Sequence, residues 1–439
     1  MQGHATGGRN GIISILVKIL FLSHYYFPEG NAPATRVCAL AERWVKAGHE
    51  VTVVTCAPNV PDGKVYDGYA NKWCVREEVN GVHVVRVWTY LAANKGAVRR
   101  MLNFATYFLS AVWRSLREPR PDVVIATSPQ IFCGYAGVWV KRLRRIPLVI
   151  EIRDIWPESM GAVGAHIPRP AYRVLEWIER AMYRAADRIV TVGEGYAVKL
   201  EEKGVARERM SVIMNGTDLE VFSPRPRDKA LLEKFGLADS FVVSYIGTVG
   251  MACGLDTMLD AAAKLKARGD NAAASDGRRI AFVVVGDGAV RADLEREAKE
   301  RGLDNVVFTG RQPKSSMAAW VSSSDVNLVH LRKSDLFTTV MPSKIFESAG
   351  CARPMIIGVD GFARKLVTDA EAGIAMEPGS ADDLVSAVLS LSADPALCER
   401  LGQNARKNIA LVHNRDAQAK NYLGILDGLC NGGYKPQRR

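Results

Sequence analysis

Residues 342–357 read PSKIFESAGCARPMII, and this stretch is the most informative in the chain. It predicts a loop, a short helix with one carboxylate, a turn with a glycine and an apolar strand. Ser343 can cap free amides at the helix start, and Lys344 adds a positive charge there. Helix N-termini bind anions, and the Glu347 carboxylate one turn later could accept two hydrogen bonds from a ribose diol. The stretch therefore predicts a phosphate-and-ribose site, although Lys344 and Glu347 taken alone are typical of a solvated helix face.

Length and composition indicate a globular protein of two domains. The chain has 439 residues, more than one ordinary core accommodates, with 48% hydrophobic and 24% charged residues. Its eight cysteines include no C-x-x-C pair, which disfavours a zinc or redox motif and favours the reduced thiols of a cytoplasmic protein. The apolar run 12–17 is too short for a membrane span or a signal peptide. Residues 1–17 are therefore predicted to form a disordered or extended leader.

Much of the net charge of +11 comes from residues 95–145, which include ten cationic residues and two acidic ones, Glu118 and Asp122. Among them, the run 101–113 is apolar and aromatic and ends in Trp113, which predicts an interfacial helix on an anionic membrane over region 95–120. An ordinary amphipathic helix packed on a sheet is an equal alternative. No motif of a nucleic-acid-binding module occurs, so nucleic acid is not an expected partner. The ten cations are Lys95, Arg99, Arg100, Arg114, Arg117, Arg120, Lys141, Arg142, Arg144 and Arg145.

Apolar strand-like runs alternate with helical runs throughout, which predicts parallel sheets covered by helices on both faces. The fold expected is α/β, with two doubly wound, Rossmann-like domains that face a cleft: an N-terminal domain over 18–222 and a C-terminal domain over 227–403, joined by a turn-rich linker. The predicted helices include 34–48, 172–186 and a last one over 404–429. The predicted strands are 18–23, 51–56, 82–88, 123–127, 148–152, 188–192, 212–214, 241–246, 280–285, 306–309, 326–330 and 355–357.

Glycine-rich turns follow two strands of the second half. Gly247, Thr248 and Gly250 stand between a strand and a helix, where a backbone without side chains can approach a phosphate. Gly286 follows the next strand in a second such turn. Either turn has an equally good structural explanation when taken alone.

Two segments of the first half carry polar groups after a strand. The first, 24–36, includes Gly30, Asn31 and His24; the last could act as a base, although a histidine among aromatic residues is more often a packing group. The second, EIRDIWPES over 151–159, places four charged groups around a tryptophan. Such a cluster indicates a catalytic role, with structural ion pairs as the alternative.

These motifs together resemble family 4 glycosyltransferases, enzymes with the GT-B fold, and especially the WbuB-like branch that builds bacterial surface polysaccharides. PSKIFE at 342–347 and RDIWPE at 153–158 carry the resemblance, which extends from about residue 18 to 429. It implies that the helix over 404–429 crosses back to the N-terminal domain. It also implies that Gly30, Asn31, Gly247, Thr248, Gly250, Gly286, Arg311, Ser343 and Glu347 bind the donor.

The chain departs from the family pattern at several positions. Thr248 and Cys253 replace the usual Arg and Lys that hold the diphosphate, and Thr339 replaces the first Glu of the E-x7-E pair. Lys344 must then stabilise the diphosphate, with Arg332 or Lys333 assisting. The usual histidine after the strand 123–127 is also missing.

We therefore expect Asp154 or Glu158 to orient or deprotonate the acceptor hydroxyl, with Arg153 as an electrostatic partner. No D-x-D triplet is present, so no metal and no cofactor besides the donor is expected.

The resemblance implies a retaining glycosyltransferase that moves a sugar from a UDP donor to a lipid-linked saccharide at the inner face of the plasma membrane. A UDP-N-acetylglucosamine 2-epimerase, which shares the GT-B architecture, is one alternative. A catalytically inactive nucleotide-sugar-binding protein is another, because the family's Arg, Lys and first Glu are missing.

Overall fold

The computed structural model describes residues 16–60, 62–92, 97–128, 130–155, 157–158, 168–269 and 273–431. Most of the predicted leader, and also Lys95, Trp156 and Ser159, lie outside these ranges. Within them the chain forms one sheet of eight strands and one of six, with helices between the strands.

The eight-stranded sheet has the order β3-β4-β2-β1-β5-β6-β7-β8. β1 pairs in parallel with β2 and β5, and β5 pairs in parallel with β6. Every residue of β5 and β6 is buried, as expected for strands covered on both faces. The strands are β1 (Lys18–Leu22), β2 (Glu50–Cys56), β3 (Cys74–Val79), β4 (Val82–Val87), β5 (Val123–Thr127), β6 (Leu148–Ile152), β7 (Arg188–Thr191) and β8 (Met210–Val212).

The six-stranded sheet has the order β11-β10-β9-β12-β13-β14, and its neighbouring strands pair in parallel. Its strands are β9 (Ser240–Ile246), β10 (Arg279–Val285), β11 (Val306–Gly310), β12 (Val326–His330), β13 (Met355–Gly358) and β14 (Gly373–Ala375).

The α-helices of the described residues are α1 (Ala32–Lys46), α2 (Ala97–Ser115), α3 (Ile131–Arg144), α4 (Arg169–Ala185), α5 (Glu194–Glu202), α6 (Lys229–Glu233), α7 (Asp256–Ala267), α8 (Arg291–Glu300), α9 (Met317–Ser323), α10 (Ser343–Gly350), α11 (Phe362–Asp369), α12 (Ala381–Ala393), α13 (Pro395–Asn404) and α14 (Arg415–Asn431). None of them is both long enough and apolar enough to cross a membrane. All eight cysteines are free thiols.

Helices cover both faces of the six-stranded sheet. Val243 and Tyr245 of β9 point into a core shared with α7 and α12, whereas Val242 points into a core shared with α6 and α9. This alternation follows from the two-residue period of a strand, and it explains why β9 reads as a continuous apolar run.

The chain divides into two compact units. Unit 1 comprises the described residues up to Glu151, together with Ala181–Arg188 and the described residues 420–431. Unit 2 comprises the described residues of Ile152–Arg180 and Ile189–Ala419, and it contains the six-stranded sheet.

An antiparallel hairpin makes the eight-stranded sheet mixed. β3 pairs antiparallel with β4, and β3 is absent from the predicted strands. The turn residues Asn80 and Gly81 have φ values of 52° and 80°. Asn-Gly favours the tight hairpin turn that requires positive φ at both positions, so the signal was present in the sequence.

The last helix is interrupted, whereas the sequence predicts one continuous helix over 404–429. α13 ends at Asn404, a π-helical turn spans Ala405–Ala410, and α14 begins at Arg415. The Asn414 Oδ1 atom accepts a hydrogen bond from the Ala417 amide at 2.8 Å, and Asn414 forms a bridge with Thr217. A side-chain cap of this kind starts a new helix, which is why the chain changes direction there.

Inside unit 1, an ion pair joins helix α1 to the central strands. The Arg36 Nε atom lies 3.0 Å from the Glu151 Oε2 atom, and the exposed fractions of the two side chains are 7% and 0%. The Thr127 hydroxyl donates a second hydrogen bond to Glu151 at 3.1 Å. Glu151, one of the four charged groups of the 151–159 segment, therefore has a structural role.

We predict that Glu151→Gln lowers the free energy of unfolding by about 3–5 kcal/mol, because the buried Arg36 charge then lacks this carboxylate. Urea unfolding followed by circular dichroism measures the loss. Glu50→Gln is the matched control, since Glu50 forms an exposed pair with Lys18 at 3.4 Å, and such pairs contribute about 0–1 kcal/mol. Equal losses in the two variants would contradict the prediction.

Candidate active site

The carboxyl ends of the parallel strands β9 to β12 lie on one edge of the six-stranded sheet of unit 2. β9 is followed by Gly247 and β10 by Gly286. The strand order reverses at β9, because β10 lies on one side of it and β12 on the other. In doubly wound sheets, ligands bind outside the carboxyl ends at such a switch point.

The Lys344 ammonium is held at this edge by an aromatic ring. Its Nζ atom lies 4.5 Å from the centre of the Tyr245 ring and 3.2 Å from the Tyr245 hydroxyl. The same hydroxyl donates to the Thr248 carbonyl at 2.8 Å. Burial lowers the pKa of Lys344, although Glu347 acts in the opposite direction. An anion beside Nζ would stabilise the charged form.

Three glycines of the turns are required by close packing. A Cβ atom on Gly247 would lie 2.8 Å from the Lys344 Cε atom, and one on Gly286 would lie 2.0 Å from the Gly247 carbonyl oxygen. A Cβ atom on Gly288, which we did not predict as a site residue, would lie 2.3 Å from the Val249 carbonyl oxygen. By contrast, a Cβ atom on Gly250 would meet nothing within 4 Å. Packing therefore explains Gly247, Gly286 and Gly288 but not Gly250.

Glu347 follows Lys344 on α10, and burial raises the pKa of its carboxyl group. The cations Lys344, Arg415 and Lys314 oppose this shift. The hydrogen bonds found among the described residues leave its carboxylate oxygens without a donor, so they can accept hydrogen bonds from a diol. Arg415 was not predicted as a site residue, because it lies 68 positions further along the chain.

Ser343 does not cap the helix, which corrects the sequence prediction. It is the first residue of α10, the cap position belongs to Pro342, and no side-chain cap hydrogen bond is present. A proline offers no side-chain oxygen, so the helix start lacks the intramolecular acceptor that a serine would have supplied.

Two further predicted donor-binding residues of unit 2, Thr248 and Arg311, are exposed. Thr248 directs its carbonyl inward to Tyr245 and to the Cys253 thiol, at 2.8 and 3.2 Å, while the residue itself is exposed. Arg311 follows β11 directly and is exposed as well.

The two cations expected to assist Lys344 are paired with carboxylates. Arg332 donates to the Asp256 carboxylate at 3.0 Å and to the Met251 carbonyl at 2.8 Å. Lys333 forms an ion pair with Glu377. These pairs reduce the charge that either cation could offer to a diphosphate.

His330, at the end of β12, joins two loops of this edge and was missing from the predicted site. Its Nδ1 atom lies 2.8 Å from the Cys253 carbonyl oxygen, and its Nε2 atom lies 3.1 Å from the Gly379 amide. Nε2 must accept and Nδ1 must donate, so the ring is neutral. Burial lowers its pKa, in agreement with a neutral ring.

The predicted catalytic groups Arg153, Asp154 and Glu158 also belong to unit 2. Asp154 accepts a hydrogen bond from the Ile155 amide at 3.0 Å. Burial, with a further contribution from Asp154, raises the pKa of Tyr196 to about 12. Arg153 opposes this shift, so these three side chains share one electrostatic environment.

Glu158 is held by an ion pair, the alternative noted for this segment. Its carboxylate lies 2.6 Å from the Lys203 ammonium, which lies at the same distance from Glu179. Two carboxylates thus share one nearly buried cation. The Glu158 Oε2 atom is buried and has no hydrogen-bond partner among the residues that the structure describes.

In unit 1, Asn31 caps α1, since its side chain accepts the Ala34 amide at 2.9 Å. Gly30 is exposed, and a Cβ atom there would meet nothing within 4 Å. His24 packs edge-on against Tyr25, Phe104 and Tyr107. Burial lowers its pKa to about 3, so His24 is a neutral packing group.

No cluster of three or more His, Cys, Asp or Glu side chains that could hold a metal ion occurs in the ranges that the structure describes.

Two family models match the chain. The Glycosyl transferase 4-like domain matches residues 31–216, and the Glycosyl transferases group 1 model matches residues 229–408. Together they cover both halves of the chain.

Curated relatives match over most of their length. WcaI of Escherichia coli (strain K12), provisionally named a colanic acid biosynthesis glycosyl transferase, is 25% identical over 85% of this chain and 91% of its own. A GDP-mannose-dependent alpha-mannosyltransferase of Mycobacterium tuberculosis (strain CDC 1551 / Oshkosh) is 25% identical over 96% of this chain and 97% of its own.

Among solved structures, HepE of Anabaena in complex with UDP and glucose has a TM-score of 0.69 and 18% identity, covering 94% of this chain and 100% of its own. This likeness confirms the predicted GT-B fold. Membership of the WbuB-like branch stays a prediction. The chain belongs to the family 4 glycosyltransferases, and it is a GT-B enzyme that takes its sugar from a nucleotide-sugar donor.

Proposed function

We propose that this glycosyltransferase moves a sugar from UDP to a lipid-linked saccharide during synthesis of bacterial surface polysaccharide, with retention of the anomeric configuration. One observation carries the donor part of the proposal: the Lys344 ammonium lies 4.5 Å from the centre of the Tyr245 ring, beside the Gly247 turn. Glu347 follows on the same helix. This arrangement suits a diphosphate at Lys344 and a ribose at Glu347.

Lys344 would stabilise the leaving group. Cleavage of the bond between the sugar and the diphosphate moves negative charge onto the phosphate, and fixed positive groups aimed at that charge lower the barrier. The amides of Gly247 and Val249 donate to the Val285 and Asp287 carbonyls, so the amides of Thr248 and Gly250 and the start of α10 would add partial positive charge. Because Arg332 and Lys333 are paired with carboxylates, we assign the main contribution to Lys344.

UDP is our proposed nucleotide, and HepE, whose structure contains UDP and glucose, supports it. The mycobacterial relative is named as GDP-mannose-dependent, so GDP is the competing choice. The base would lie near Arg311, beyond the end of β11.

For the acceptor we favour Asp154 over Glu158. The Glu158 carboxylate is 2.6 Å from the Lys203 ammonium, and this ion pair already engages it. Asp154 would orient the acceptor hydroxyl, with Arg153 as its electrostatic partner. Attack from the side of the leaving group, as the family resemblance implies, would retain configuration.

The lipid-linked acceptor would be reached from the inner face of the plasma membrane through α2. Its apolar stripe (Val98, Leu102, Leu109 and Trp113) has exposed fractions of 75, 49, 65 and 62%. The spacings of four, seven and four residues place these side chains on one helix face. Arg99, Arg100, Arg117 and Arg120 are exposed nearby.

The opposite face of α2 packs on the protein, because Phe104, Tyr107 and Ala111 are buried. An ordinary surface helix of a globular protein needs only one apolar face. The second, outward-facing stripe with arginines beside it therefore favours a peripheral membrane contact over the packing alternative.

The epimerase alternative is not favoured, because glycosyltransferase models match both halves of the chain. An inactive nucleotide-sugar-binding protein would bind UDP without releasing it from any donor, which the first experiment below distinguishes.

Incubation with UDP-glucose, UDP-N-acetylglucosamine or GDP-mannose and a bacterial membrane extract should release UDP only when the extract is present. Lys344→Ala and Glu347→Ala should each lower this release about ten- to a hundredfold, since a hydrogen bond to a charged group contributes about 1.5–3 kcal/mol. Lys365→Ala, at an exposed lysine of unit 2, should leave the release of UDP unchanged.

Release of GDP alone would show that the donor nucleotide is GDP and not UDP. UDP binding without any release would overturn the transferase proposal for this chain.

UDP binding should weaken at alkaline pH. The diphosphate requires a charged Lys344, and burial sets the pKa of that group below its usual 10.5. The contribution of Lys344 is complete below the pKa of the free protein, and it is lost as the pH rises through the higher pKa that the bound diphosphate gives to the ammonium. The Kd values for UDP of the wild type and of Lys344→Ala, measured by calorimetry, should therefore converge with rising pH. Titration of the uracil ring affects both proteins equally, so it does not change the ratio of the two Kd values. A constant ratio of the two Kd values up to pH 10 would argue against this role.

Leu109→Ser combined with Trp113→Ser should weaken binding to vesicles that contain phosphatidylglycerol by about tenfold or more. A fully buried large apolar side chain contributes about 1.5–3 kcal/mol, and partial insertion contributes less. Vesicle co-sedimentation measures the change. Trp73→Ser is the control, because Trp73 is 77% exposed elsewhere in unit 1. If both variants bind vesicles like the wild type, α2 is an ordinary packed helix.

A further inference from the structure

A second cavity of unit 2 lies at the opposite edge of the six-stranded sheet from Lys344. It has a volume of about 670 Å³, within the usual range for small-molecule sites. Arg278, Asp325 and Pro354, which line it, directly precede β10, β12 and β13, so the cavity lies at the amino ends of the strands. Nothing described for the donor edge involves these residues.

Three carboxylates line this cavity, those of Asp276, Asp325 and Glu399. Glu399 accepts a hydrogen bond from the Gln403 side chain at 2.9 Å, and Asp325 is already neutralised. Asp325 accepts hydrogen bonds from Arg227 at 2.7 Å, from Arg278 at 3.0 Å and from the Val242 amide at 2.7 Å. Arg278 is also paired with Asp276 at 2.6 Å. These charges therefore compensate one another and leave Asp325 with little capacity for a further cation.

Arg353 is the cation left without such a partner. Its Nε atom is buried, and the described residues offer it no hydrogen-bond acceptor. Burial lowers the pKa of its guanidinium group, which shows that the surroundings do not fully compensate the charge. A buried donor and charge in this state cost free energy that a bound anion would offset.

Two further cations line the same cavity. Arg406 donates to the Gly350 carbonyl at the end of α10, and Lys407, the next residue, is exposed. The rest of the wall is largely apolar, with Phe241, Leu391 and Pro395 among the lining residues. The cavity thus combines an excess of positive charge with an apolar wall.

We propose that this cavity binds a phosphate monoester attached to an apolar body, with the phosphate held by Arg353, Arg406 and Lys407. A guanidinium group offers paired donors that match phosphate oxygens, and the apolar wall covers an aromatic or alkyl group. The chemistry fits a small soluble ester and a lipid phosphate equally well. The site is separate from the donor edge, although Arg353 directly follows the turn that ends α10.

The test is binding of phenyl phosphate to the full chain, measured by calorimetry. We expect saturable binding to the wild type and at least tenfold weaker binding to Arg353→Gln and to Lys407→Glu. Lys407 is exposed, so its replacement leaves folding intact even if Arg353→Gln fails to fold. Lys299→Glu, the matched charge reversal at an exposed lysine outside the cavity, and Lys344→Ala should both bind like the wild type.

Two further arms identify the source of the ligand. Tighter binding of monomeric dodecyl phosphate than of phenyl phosphate would indicate a lipid phosphate, and the reverse would indicate a soluble ester. The proposal is overturned if phenyl phosphate shows no saturable binding to the wild type. It is also overturned if Lys407→Glu binds like Lys299→Glu, or if UDP displaces phenyl phosphate in competition.

Discussion

The donor edge of this enzyme depends on one constraint, the placement of a lysine ammonium in partly desolvated surroundings. Lys344 has the Tyr245 ring on one side and the Gly247 backbone on another. A cation over an aromatic face gains about 0.5–2 kcal/mol, less than the cost of removing a charge from water. The lowered pKa of Lys344 reflects this imbalance. A bound diphosphate would offset this desolvation cost, so the unliganded edge is suited to binding an anion.

Several local features follow from the position of Lys344. Gly247 has a φ of 138°, which L side chains rarely adopt, and a Cβ atom there would also displace the end of the lysine side chain. Gly286 must lack a side chain because a Cβ atom would collide with the Gly247 backbone. Tyr245 is fixed by its hydrogen bond to the Thr248 carbonyl. His330 then links the end of this turn to the loop at Gly379. Thr248 and Cys253 replace the Arg and Lys that are usual in the family. The backbone of this turn nevertheless still packs around one cation, Lys344.

Much of the fold could be predicted from the sequence because strand periodicity is a local property. The predicted strands at 123–127, 148–152 and 326–330 agree with the structure at both ends. The hairpin at Asn80-Gly81 was missed although its turn signal is local. The break in the last helix was missed because Asn414 acts as a cap only where the chain turns to meet Thr217, almost two hundred residues earlier.

The sequence by itself determined the fold class, the family, the glycine turns and the Lys344–Glu347 spacing, since each depends on residues close together in the chain. Only the tertiary structure decided which charges are compensated. Glu151 pairs with Arg36, Glu158 with Lys203 and Arg332 with Asp256. By contrast, the buried Arg353 Nε atom has no hydrogen-bond partner in the described part of the chain. Charge compensation acts through space over a few ångströms, and residues far apart in the sequence supply it. Folding therefore separated structural ions from those available to a ligand.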